Sequence, residues 1–424
     1  MVAQSASLRA AQPARSASWR AAQPAKSVRR RVVAGIAALT LLLAGCDRPA
    51  SSSAPSNGSP PTSTTPAPST PAAPTPASPT PTPACTTRAM LAQWSVIRLA
   101  EQTVVVPVEE TSVESITAEV SDGAGGVILF GSTAPADLGS SLARLVSHAP
   151  DGIAPFVMTD EEGGAVQRMA NLVGDIPSAR RMAATMTAAQ IRELAARVGR
   201  KMRAAGVTMD LAPVLDLDDR PGPNDANPAG TRSFSKTESV AEADGLAFAR
   251  GLLDAGVVPV VKHFPGLGGA TGNTDTVAAS TLPWSTLRHD GLLPFAAAVR
   301  AGLPAVMISN ATVPGLTPLP ASLSPAVIGD VLRQQLHFSG LVITDSLSAA
   351  SIRSAGYTVP AASVAALVAG ADMILFTSST VSTTTRQIVQ ALVSAVNGGN
   401  CRAAGSRTRS PTSSPPSTST SARR

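Results

Sequence analysis

Apolar residues fall in eight short runs along the chain. They are TVVVPV (103–108), GGVILF (125–130), APFVMTD (154–160), VTMDLAPVLDLD (207–218), VVPVVKHF (257–264), PAVMISN (304–310), GLVITD (340–345) and DMILF (372–376). Most are continuous rather than alternating, the pattern of parallel strands buried on both faces. Between several of them the period changes to that of an amphipathic helix, as over 187–206, 239–256 and 360–371. Several of these stretches end in Ala-Gly just before the next apolar run, which predicts glycine C-caps. Eight strand-then-helix units in about 300 residues predict an α/β fold, a (β/α)8 TIM-type barrel. An open doubly wound sheet also fits the strand count. Neither GxGxxG nor GxxxxGK[ST] follows any of the runs, so the commonest nucleotide-binding forms of that alternative are excluded.

The remaining segments differ in composition. Residues 47–84 are almost entirely Ser, Pro, Thr and Ala, and 402–424 are similar with arginines added. Such segments cannot bury enough apolar surface to offset their ordering entropy, and both are expected to be disordered. The folded domain is therefore expected over 85–401. At the amino terminus Arg29, Arg30 and Arg31 precede VVAGIAALTLLL and then Ala44-Gly45-Cys46. This is the order of a secretory signal, and the apolar run is shorter than the ~20 residues of a spanning helix. Leu43-Ala44-Gly45-Cys46 resembles a bacterial lipobox, which makes Cys46 the expected lipidation site. Residues 1–46 are then a signal peptide and 47–84 a tether, placing the protein outside the cell on a membrane anchor. Residues 5–15 are nearly repeated as 16–26; the repeat is too short for a solenoid and suggests an over-long start. Cys85 and Cys401 stand at the two edges of the domain, and in an exported protein such a pair is a disulfide candidate.

Charge changes the picture of partners. The whole chain carries +6, but residues 1–45 hold seven Lys or Arg with no acid, residues 402–424 hold five Arg with no acid, and Asp47 and Arg48 cancel. Removing those twelve positive charges leaves −6 for the middle of the chain. The domain is acidic, and a nucleic-acid partner is not expected.

Chemistry in a barrel of this kind gathers at the carboxyl ends of the strands. Those ends are polar here on five strands in succession. The third run ends in Asp160, Glu161, Glu162, Gly163, Gly164 and, a little later, Arg168. The fourth carries Asp216, Asp218 and Asp219, the fifth Lys262 and His263, the sixth Ser309 and Asn310, and the seventh Asp345 and Ser346. One such residue is an ordinary solvated loop charge; five strands together point to a shared pocket. His263 alone is not a metal site, because no second His or Cys lies at ligand spacing.

DEEGGAVQRM (160–169), DLAPVLDLD (210–218), GTRSF (230–234), KHFPG (262–266) and VITDSLS (342–348) resemble the ordered motif set of glycoside hydrolase family 3, and in particular its single-domain β-N-acetylhexosaminidases. The resemblance implies a retaining glycosidase, expected to be monomeric and without a cofactor, that removes terminal β-linked N-acetylglucosamine from cell-wall-type glycans. It implies Asp345 as the catalytic nucleophile and Asp160, Arg168, Arg232, Lys262 and His263 as sugar-binding residues. One motif departs. The Asp-x-His pair of that branch, whose His is the acid/base, falls on Asn273 and Asp275; the family's His just after KHFPG is Leu267, and Asn310 stands where the branch often has His. Three readings follow. Asp275 is itself the proton donor, held by Asn273; or the acid is Glu161, Glu162, Asp219 or Asp225; or the domain binds sugar without turnover. A β-glucoside is the alternative substrate.

Overall fold

The computed structural model describes residues 88–399. The signal and lipobox with Cys46, the tether 47–84, Cys85, Cys401 and the basic tail 402–424 lie outside the described residues.

Eight strands form one sheet: β1 Val104–Glu109, β2 Gly126–Phe130, β3 Phe156–Thr159, β4 Met209–Asp210, β5 Val258–Phe264, β6 Ala305–Ile308, β7 Leu341–Thr344 and β8 Ile374–Leu375. Their spatial order is β7-β6-β5-β4-β3-β2-β1-β8, and every pairing is parallel. The ring is completed by a parallel bridge between Ile343 and Met373 and by the Thr344 amide donating to the Met373 carbonyl at 3.1 Å. Strands follow one another around the ring with no reversal of order, so the open doubly wound alternative does not apply.

The continuous apolar runs are explained by this closure. Val105, Ile128, Met158, Met209, Val260, Met307, Ile343 and Leu375 point inward and form one cluster that fills the lumen. Their neighbours Val104, Val106, Val127, Val157, Val261, Val306 and Val342 point outward into the layer shared with the helices. Each strand thus needs apolar side chains on both faces. Four methionines (158, 209, 307 and 373) line the lumen, where flexible thioethers fill irregular space.

The expected helices are present as Ala188–Ala204, Glu238–Asp254 and Val359–Ala369. The first begins with a capping box, in which Thr187 and Gln190 each satisfy the other's backbone N–H. The last ends on Gly370 at φ 113°, the left-handed cap that glycine favours. The fourth run is the main departure from expectation. Only Met209–Asp210 pairs as a regular strand, and 211–215 then run on beside β5 with irregular pairing, the Val260 and Lys262 amides donating to the Ala212 and Pro213 carbonyls. That segment bridges β5 at Val214 and Lys262, and the Leu215 amide donates to the Lys262 carbonyl at 2.7 Å. Pro213 lacks an N–H and cannot continue a regular ladder. Beyond it Asp216 and Asp218 are buried, the first against His263 and the second against Arg220.

Candidate active site

Side chains alternate along a strand, so a residue two places beyond a lumen residue faces the same axis. Asp160 follows Met158, Lys262 follows Val260 and Asp345 follows Ile343 by that step. Three strand ends thereby direct polar groups toward the axis, on top of a methionine-rich plug.

Lys262 is the hub. Its side chain is only 2% exposed, and its Nζ lies 2.6 Å from Asp160 Oδ1 and 2.6 Å from Glu162 Oε1. Burial acts against its charge, but the two carboxylates more than offset that, and its pKa is raised. Two of its three N–H bonds are thereby used, leaving one for a ligand. Arg232 donates from Nε and Nη2 to both oxygens of Glu162 at 2.8 Å, and from Nη1 to the Pro228 carbonyl at 3.0 Å. Glu162 is fully buried, and dehydration alone would favour its neutral form. Arg232 and Lys262 overcome this and hold it ionised, well below the usual carboxylate range. Arg168 approaches Asp160 at 3.9 Å and lies over the Phe130 ring at 5.8 Å from its centroid.

His263 is held from behind by Asp216. The carboxylate receives the His263 Nδ1 at 2.7 Å, the His263 amide at 3.1 Å and the Leu267 amide at 2.6 Å. A carboxylate partner puts the proton on Nδ1, so Nε2 is the free atom of the ring. The glycine-rich loop beyond it has a steric reason. A Cβ at Gly268 would lie 1.9 Å from the Leu217 carbonyl oxygen, and Gly266 has φ 126°. The loop passes so close to the Leu217 backbone that only glycine fits at 268.

Asp345 begins the turn after β7. Its amide donates to the Ile308 carbonyl at 2.9 Å, and its Oδ1 accepts from the Ser346 amide at 2.7 Å. It is half-buried and has no cationic side chain in ion-pair contact. Asp275 lies close enough to repel it. Loss of hydration first, and then the Asp345 charge, push the Asp275 carboxyl up to about 6, although Arg232 and His263 act the other way. Asp275 is nonetheless an exposed residue of the loop. The loop that carries it is docked at both ends. The Asn273 amide donates to the Asp225 carbonyl at 2.9 Å, the Ser351 amide to the Thr274 carbonyl at 3.0 Å, and the Ala350 amide to the Asp275 carbonyl at 3.2 Å.

The structure thus brings Asp160, Arg168, Arg232, Lys262, His263, Asp275 and Asp345 to one mouth. Asn273 meets Asp275 through the backbone, its Oδ1 accepting from the Asp275 amide at 3.0 Å. Arg232 has committed three of its five N–H bonds to Glu162 and Pro228, and its main contact is a brace beneath Lys262 rather than an open donor.

Three of the other four acid candidates have their carboxylates occupied. Glu162 is locked between two cations. Glu161 is buried beneath the site, accepting from the Gln167 side chain at 2.9 Å and the Arg168 and Met169 amides at 2.7 and 3.1 Å. Asp219 pairs with Lys236 at 2.6 Å on the surface. Asp225 is an exposed residue that meets the acid loop through its backbone carbonyl. Leu267 packs with Ala270 and Ala311 in a small apolar cluster, so that position offers no polar group. The supports that sequence reasoning missed are Asp216 as the partner of His263, Glu162 as the bridge between Lys262 and Arg232, and Arg180. The last donates to the Asp218 and Gly230 carbonyls at 2.5 and 2.8 Å and ties the end of the fourth run to the loop bearing Arg232. The one available signal for Glu162 was its place two residues after Asp160.

Residues 92–407 match the Glycosyl hydrolase family 3 N terminal domain. The chain is 39% identical over 263 residues to the beta-hexosaminidase LpqI of Mycobacterium tuberculosis; the match covers 60% of this chain and 66% of that protein, just under two thirds of its length. Among solved structures, a glycosyl hydrolase of the GH3 family from Mycobacterium smegmatis superposes with a TM-score of 0.67 at 36% identity, covering 74% of this chain and 94% of that one. A beta-N-acetylhexosaminidase from Beutenbergia cavernae superposes with a TM-score of 0.66 at 32% identity, covering 72% and 94%.

Proposed function

Because the chain belongs to glycoside hydrolase family 3, we propose that it is a retaining β-N-acetylhexosaminidase in which Asp345 is the nucleophile and Asp275 the acid/base. The observation that carries this reading is the pairing of two unlike carboxyl groups. Asp345 has a backbone N–H on one oxygen and no cation bound to it, while Asp275 is pushed up to about 6 beside it. A carboxyl pushed up beside a second carboxyl that a backbone N–H holds is the arrangement of acid and nucleophile in a glycosidase.

The sugar is gripped by Asp160, by the free N–H of Lys262, by Nε2 of His263 and by Arg168. Asp345 attacks the anomeric carbon as Asp275 gives its proton to the departing oxygen, so the glycosidic bond breaks and a glycosyl-aspartate ester forms. Asp275, now ionised, takes a proton from water as the water oxygen attacks the same carbon. The ester breaks, Asp345 is freed and the β-configuration is restored. Preference for N-acetylhexosamine is supported by the names of the relatives. A cell-wall-type substrate and an exported, lipid-anchored location are parts of the same reading, supported by Arg29–Arg31, the apolar run and Cys46.

The test is hydrolysis of p-nitrophenyl β-N-acetylglucosaminide and of the matching β-glucoside. Release from the first, lost in Asp345→Ala, is the expected result. Release from the glucoside alone would replace the substrate, and sugar binding without release from either would leave a binding protein.

A further inference from the structure

We propose that Asn310 is a positioning residue for the nucleophile, acting through the backbone of Ser346; the proposal rests on the assignment of Asp345 given above. Asn310 follows β6 and is completely buried. Both ends of its amide are committed. Oδ1 accepts from the Ser322 hydroxyl at 2.6 Å, and Nδ2 donates to the Ser346 carbonyl at 2.7 Å. The opposite face of the same residue, the Ser346 N–H, donates to Asp345 Oδ1 at 2.7 Å. The Ser346 carbonyl also accepts from the Ala349 amide at 3.1 Å, and the Asp345 amide is anchored on the Ile308 carbonyl at 2.9 Å.

These contacts form one directed relay: Ser322 hydroxyl, Asn310 amide, Ser346, Asp345 carboxylate. Its chemical consequence is specific. One oxygen of the nucleophile is held by a backbone donor, which leaves the other directed for attack. The donor itself is fixed because Asn310 holds the carbonyl of the same residue. Ser322 is oriented in turn by its own amide, which donates to the Ser309 carbonyl at 2.9 Å. An asparagine suits the place. It supplies one acceptor and one donor on a short stem and adds no charge beside a carboxylate that must stay ionised. A carboxylate there could accept from Ser322 but could not donate to the Ser346 carbonyl.

The experiment compares the native chain with Asn310→Asp and with Ser322→Ala, a milder change that touches neither Ser346 nor Asp345. Folding is checked by thermal melts. Each protein is treated with a 5-fluoro N-acetylglucosaminyl fluoride, and the rate of covalent labelling is followed on the Asp345 peptide. We expect Asn310→Asp to label ~10-fold or more slowly, as misplaced reacting groups do, and Ser322→Ala to slow in the same direction by less. We also expect kcat to fall while KM holds, and the acid limb of kcat/KM to move to higher pH in Asn310→Asp. Folded Asn310→Asp or folded Ser322→Ala that labels Asp345 at the native rate overturns the proposal. A native-chain label on a residue other than Asp345 overturns the reading beneath it, and the proposal with it.

Discussion

Asp275→Asn isolates the proton donor with little disturbance of its surroundings. The contacts that hold residue 275 are made by its backbone, with Asn273 on one side and Ala350 on the other. An amide side chain therefore keeps the loop and removes only the proton. The magnitude follows from the pKa of about 6. At pH 6 half of the Asp275 carboxyl is in the acid form. At the ordinary value of 3.8 less than ~1% would be, so the site supplies about 80-fold more acid at that pH. Loss of a general acid costs ~10²–10⁴ in rate, or about 3–5 kcal/mol of barrier. The sign with pH is also set. Asp275 must be in its acid form to give a proton to the leaving oxygen, so kcat/KM on a sugar leaving group should fall about tenfold per pH unit above 6, and that limb should vanish in the variant. The assay is kcat/KM against pH for a disaccharide and for a p-nitrophenyl glycoside, whose leaving group needs little proton assistance. The disaccharide should suffer far more. Equal slowing of both, or a basic limb that survives in Asp275→Asn, would refute the role.

Asp345→Ala should abolish turnover while leaving the melting temperature nearly unchanged, since the residue is half-buried and its carboxyl bonds only a neighbouring amide; a melt beside a rate assay checks both. Glu162→Gln should destabilise the fold by about 3–5 kcal/mol in denaturant unfolding, because Lys262 and Arg232 would be left buried with half their compensation. Asp216→Ala should raise KM and cost about 2–3 kcal/mol of stability, since three donors lose their acceptor and His263 is freed to turn; the read-out is KM together with a chemical melt.

Much of the barrel was legible in the chain because closure makes a demand on every strand at once. Runs such as VVV at 104–106 and VV at 260–261 must satisfy lumen and helix layer together, and that removes alternation. Asp160, Lys262, His263 and Asp345 were legible because they lie at the ends of runs, whereas Arg168, Arg232 and Asp275 were legible only through the loop motifs of the resemblance. What could not be read were contacts between segments far apart in the chain. Asp216 meets His263, Arg180 meets Asp218 and Gly230, Asn273 meets Asp225, and Asn310 meets Ser346. Each of these joins loops whose relative placement exists only once the ring has closed. The fourth run misled for a local reason, since its apolar residues continue past Pro213 while the pairing there is reduced to an isolated bridge. The exchange of an Asp-x-His pair for Asn273 and Asp275 was visible in sequence. Its consequence was not, because the pKa of Asp275 depends on how near Asp345 comes to it.

The central claim is that Asp345 carries the sugar and Asp275 serves both halves of the reaction. It is tested most directly by incubating Asp275→Asn with 2,4-dinitrophenyl β-N-acetylglucosaminide and mapping the protein by peptide mass spectrometry. Without its base the variant should form the ester from this activated substrate faster than it hydrolyses it, and an N-acetylglucosaminyl adduct should accumulate on the peptide containing Asp345. An adduct on another residue, or turnover of the substrate with none accumulating, would contradict the account.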